Sequence, residues 1–160
     1  MKRTINIQIR FYFTKTIRIK SMHEAKSVIL EKISRTLSAH DEIVAAYVFG
    51  SYAKGYERPD SDLDIGLLLT HDEEGGGLYT ERIAGELKDV LQTKRDIDVR
   101  ILNRGTLRFL HQVLNGRLIF CRDDKKRIEF ETSTIRKYLD FKPFLEEYDR
   151  MRKERILLDR

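Results

Sequence analysis

Four aspartates at two-residue spacing stand at the front of two apolar segments: Asp62 and Asp64 in "SDLDIGLLL", and Asp96 and Asp98 in "RDIDVRIL". Residues two apart on a strand project to the same face, so each pair can bring two carboxylates toward one point. Carboxylates held that close repel and shift each other's titration unless a cation is shared between them. Magnesium answers that need, because it is a hard ion that takes carboxylate oxygens together with waters and phosphate oxygens. Upstream, Gly50 and Ser51 close the apolar run "IVAAYVF". A glycine lets a phosphate approach the backbone, and the N–H groups and serine hydroxyl there can bond to its oxygens. Lys54 and Arg58 lie in the same connection and add positive charge. An isolated D-x-D is ordinarily a solvated strand end, and a lone Gly-Ser carries no information. Placed after a buried strand and ahead of the acids, the two together point to a phosphate and metal site.

A third carboxylate would come from the later pair if its strand lies beside the first. Asp98 is favoured, since it is embedded between Ile97 and Val99, whereas Asp96 follows Lys94 and Arg95 and reads as a solvated strand-start acid.

The elements that must carry these residues follow from hydrophobic periodicity. Residues 22–37 have helical spacing through Ala25, Val28, Ile29, Ile33 and Leu37. Strands are predicted over 43–49, 63–70, 96–102 and 117–121, and helices over 78–92 and 106–114, the latter closed by Gly116. Between them, "HDEEGGG" reads as an exposed loop, because three glycines leave the backbone unrestrained. From 124 to 160 the chain reads as a long charged helical region, in which Pro143 should force a kink or a restart. Its apolar stripe is Phe141, Phe144, Leu145, Tyr148 and Met151, which can serve a solvated helix or dock on a partner. The fold expected is α/β: a short mixed β-sheet, helices packed on one face, the acid cluster on the open face, and a long C-terminal helical region.

Composition narrows the function further. With 160 residues the chain has room for one core, so residues 22–160 are expected to be a single domain. One cysteine, Cys121, excludes an internal disulfide, and four scattered histidines give no zinc-site spacing; a reducing cytoplasm fits. No apolar run approaches a membrane span. The net charge of +5 is concentrated in residues 1–21, which hold six bases and no acid, so the body is close to neutral and nucleic-acid binding would rest on the leader alone. That leader alternates apolar and polar residues, as an extra strand would, or is an extension ahead of a start at Met22. His111 reads as an ordinary helix histidine and Cys121 as a small buried hydrophobe, so neither supports nucleophilic catalysis. Of the tyrosines, only Tyr52 and Tyr56 lie near the acids along the chain.

The pattern G-S, ten residues, D-x-D, then a later apolar-D-apolar strand resembles the nucleotidyltransferase superfamily built on the DNA polymerase β palm. "VFGSYAKGYERPDSDLDIGLLL" is similar to its minimal freestanding members, the MNT proteins, and the similarity extends through "DIDVRILNRGTLRFLHQVLNGRLIF" and "YLDFKPFLEEY" to antitoxins paired with HEPN ribonuclease toxins. It covers about residues 24–150. The resemblance implies that Gly50 and Ser51 hold a nucleoside triphosphate, that Asp62, Asp64 and Asp98 bind two magnesium ions, and that Asp98 serves as base. It further implies transfer of AMP from ATP to a tyrosine of a HEPN-type toxin, silencing it, with a toxin hetero-oligomer as the natural assembly. Arg100 and Ile101 depart from the family wording, where apolar and acidic residues are common, and leave the three acids intact. A small-molecule, aminoglycoside-like acceptor and a binding-only antitoxin with a vestigial nucleotide site are the competing readings. The first lacks a second domain to hold its acceptor, and the second has to account for a complete carboxylate set.

Overall fold

A computed structural model describes residues 26–54, 61–71 and 77–158. The basic leader, Tyr56, Arg58 and most of the glycine loop lie outside the described residues. A helix, α1, covers 26–38. It is followed by β1 (Ile43–Phe49), α2 (Gly50–Lys54), β2 (Leu63–Leu69), α3 (Gly77–Leu91), β3 (Ile97–Ile101), α4 (Leu107–Leu114), β4 (Arg117–Cys121) and α5 (Asp124–Leu158). The strands form one mixed sheet in the order β3-β2-β1-β4, with β2 parallel to β3 and β1 antiparallel to both its neighbours.

Strand β1 is buried at all seven positions, as its unbroken apolar sequence requires of a strand covered on both faces. On one face, α1 and α3 insert Leu30, Ile33, Leu37, Ile83 and Leu87 against Ile65, Leu67 and Val99. Helices also cover part of the second face: Leu110 and Val113 of α4, with Phe130 of α5, pack on Val44, Tyr47, Phe49 and Leu68. The acids share that second face, because Leu63, Ile65 and Leu67 point the other way and leave Asp64 and Leu68 opposite. The face therefore divides, with an apolar end roofed by α4 and α5 and an acidic end at the starts of β2 and β3.

Arg122, just past β4, ties the layers together. Its guanidinium donates to the carbonyls of Ser38, His40 and Ile43 at 2.6, 3.3 and 3.3 Å, capping the end of α1 and the entry to β1.

Two local expectations are corrected and a third is narrowed. Val28 is half exposed and not part of the core stripe of α1. Gly116 does not close α4 in a left-handed conformation; Asn115 is the cap, and a side chain at Gly116 would overlap the Val48 carbonyl and crowd Phe49. The glycine is there for close backbone approach. No restart occurs at Pro143, which lies inside a continuous α5. The carbonyl that loses its partner, that of Leu139, lies on an exposed stretch where solvent can take the bond.

Candidate active site

The acidic end is built by β1, α2, β2 and β3. At the junction of β1 and α2, Gly50 has φ +68°, a conformation that favours glycine, and a Cβ there would overlap the Asp64 carboxylate. Two separate constraints thus demand glycine at one position, and both bring bare backbone against Asp64. Ser51 follows in the first turn of α2, partly exposed. Tyr52 turns the other way and is a core residue, its ring under the Lys26 ammonium.

Asp62 is exposed just before β2, while Asp64 lies within the strand and is partly buried. The parallel register sets Asp64 directly beside Asp98. Burial raises the Asp64 carboxyl above the usual carboxylate range, and the charges of Asp98 and then Asp62 push it further up, against a smaller pull from Arg100. These influences place Asp62, Asp64 and Asp98 in one electrostatic cluster. Asp96 is elsewhere: its carboxylate is highly exposed and paired with Lys88 of α3 at 2.8 Å, which lowers its titration.

Two residues that the sequence pattern did not single out as site members complete this end. Arg100 donates from Nε to Asp98 Oδ2 at 2.8 Å, with Nη2 also 2.8 Å from that oxygen. Its guanidinium lies over the ring of Phe109, 5.7 Å from the centroid. Phe109 in turn meets Phe49 edge-to-face at 5.6 Å, so α4 supplies an apolar wall. The signal for Arg100 was available, since it follows Asp98 by two on a strand. Phe109 had none beyond its place in an apolar helix.

Among the described residues, no three His, Cys, Asp or Glu side chains stand as a ready ligand set for a metal ion. The donor chemistry nonetheless fits a hard divalent cation: the grouped side chains offer carboxylate oxygens, with Asp64 set directly beside Asp98 in the sheet. His111 stacks on Tyr138 at 3.7 Å and joins α4 to α5, away from the acids. Cys121 is half-buried, its thiol raised by burial and by a bond to Asp124.

Comparison with known proteins agrees with this architecture. A search of curated proteins finds no match. The fold is similar to a chain of a toxin–antitoxin crystal structure with AMP-PNP, at TM-score 0.61 and 21% identity over 74% of this chain and 97% of that one. It is also similar to a chain of the tri-AMPylated Shewanella oneidensis HEPN toxin in complex with MNT antitoxin, at TM-score 0.58 and 18% identity over 77% and 98%. A chain of the toxin–antitoxin MntA-HepT matches at TM-score 0.57 and 18% identity over 76% and 97%. The family model for polymerase beta nucleotidyltransferases matches residues 31–125, which span β1 to the start of α5 and include every clustered acid, and the chain belongs to that family.

Proposed function

We propose that this chain is a magnesium-dependent protein adenylyltransferase antitoxin, which transfers AMP from ATP to a tyrosine of a cognate HEPN ribonuclease toxin in the cytoplasm. The observation that carries the reading is Asp64 set beside Asp98 in the sheet and against the bare backbone of Gly50, with Asp62 two residues earlier, within a nucleotidyltransferase family domain. Support for the partner comes from the fold neighbours, which are chains of a tri-AMPylated HEPN toxin in complex with MNT antitoxin, of the MntA-HepT toxin–antitoxin, and of a toxin–antitoxin with AMP-PNP. Support for a protein acceptor also comes from α5, where Phe141, Phe144, Tyr148 and Met151 are exposed along one helix.

In this reading the Gly50–Ser51 backbone and the Ser51 hydroxyl hold the triphosphate, while Asp62, Asp64 and Asp98 hold magnesium. Bound magnesium neutralises the triphosphate and the departing pyrophosphate. The tyrosine oxygen bonds the α-phosphorus as the bond to pyrophosphate breaks, and Asp98 accepts the phenolic proton. Gly50 keeps the space against Asp64 free of side chain, so that the carboxylate can lie against bare backbone. Among the described residues, no helix is long and apolar enough to cross a membrane.

The test is the intact mass of the HEPN partner after incubation with ATP and magnesium. The expected result is a gain of whole AMP units with the wild-type chain and none with the Asp62→Asn/Asp64→Asn double variant. A stable complex with no mass gain from either protein would leave neutralisation by contact as the better account.

A further inference from the structure

Arg100 shares a strand face with Asp98 and holds it through two contacts at 2.8 Å. The pair is open to solvent, with side-chain exposures of 57% for Arg100 and 42% for Asp98, so it can exchange without unfolding. The Phe109 ring beneath the guanidinium offers a second attraction that persists when Asp98 lets go. We propose that Arg100 is the resident counter-ion of the carboxylate cluster, and that a divalent cation must displace it from Asp98 in order to bind. Arg100 thereby sets the metal affinity of the nucleotide-free protein, as a positioning residue acting through Asp98.

This inference rests on the reading of Asp62, Asp64 and Asp98 as metal ligands. Both physical contributions have the same sign. While Arg100 donates to Asp98 Oδ2, that oxygen is withheld from a metal, and a fixed positive charge nearby repels an arriving cation. Removing the guanidinium should therefore tighten metal binding.

The experiment is calorimetric titration of the full chain with Mn2+ alone, in the absence of nucleotide. Arg100→Gln is expected to bind about two- to fivefold more tightly than wild type, the range of an exposed ion pair. Alongside it, the Arg100 Nε–H resonance is expected to move toward its solvent-exposed position as Mg2+ saturates the wild-type protein. Equal or weaker Mn2+ binding by the variant, or an unmoved resonance at saturating Mg2+, overturns the role of Arg100 and leaves the carboxylate reading standing. Failure of both proteins to bind Mn2+ overturns the carboxylate reading and this inference with it.

Discussion

The two ends of the second sheet face treat charge in opposite ways. At the roofed end, the Tyr47 hydroxyl donates to Glu131 at 2.7 Å, and Arg127 holds the same carboxylate with two bonds of 3.0 Å. Burial and the Glu131 acceptor both push the Tyr47 titration upward, which favours the neutral phenol that already exists at physiological pH. At the acidic end, burial and two like charges also push Asp64 upward, but there the ordinary neutral-pH state is the charged one. The first arrangement fastens α5 to β1 and stabilises the fold. The second holds the Asp64 carboxylate against its preference, which in the proposed reading suits it to receive a cation.

The largest expected effect breaks the acidic end outright. Asp62→Asn/Asp64→Asn should reduce AMP transfer at least about a thousandfold, since several kcal/mol of transition-state charge stabilisation depends on the bound metal. Gly50→Ala comes next, because it forces an unfavourable φ and drives a methyl into the Asp64 carboxylate. It should cost about 1–3 kcal/mol in urea unfolding and impair transfer together. At the roofed end, Glu131→Ala should cost about 1–3 kcal/mol by leaving the Tyr47 hydroxyl without its acceptor while Arg127 keeps Asp124, with the site carboxylates untouched.

The smallest effect has the opposite sign. Asp64 binds its proton more tightly in the folded chain than in the unfolded one, so the metal-free fold loses stability as pH rises from the ordinary carboxylate value of 3.8 through Asp64's own titration. Asp64→Asn should therefore melt higher than wild type at pH 7 in chelator, with the advantage shrinking as pH falls below that window. A lower melting temperature at pH 7 would erase the contrast between the two ends.

Much of the acidic end was legible because it depends on short-range periodicity. The two-residue spacing of Asp62 with Asp64, and the apolar flanks of Asp98, follow from strand geometry, and the parallel register then brings β2 beside β3. The mixed sheet and the long C-terminal helix were legible in the same way. What escaped depends on contacts between distant segments. That α4 and α5 share the acids' face follows from β1 having no polar position, a pattern that also suits a strand merely buried at the centre of a sheet. Gly116 looked like a helix terminator, yet its constraint is the backbone of Val48 and Phe49, nearly 70 residues earlier. Arg100 stood out only as a departure from the family wording, while its role as partner of Asp98 needed side-chain geometry.

The most direct test of the central claim compares two neighbouring aspartates of one strand entry, using ATP labelled at the α-phosphate, magnesium and the proposed HEPN partner. Asp98 stands beside Asp64, whereas Asp96 is paired with Lys88 at the surface. Label should reach the partner with the wild-type chain and with Asp96→Asn, and should fail to reach it with Asp98→Asn. Label transferred by Asp98→Asn at the wild-type rate, or lost in Asp96→Asn, would contradict the assignment of the site.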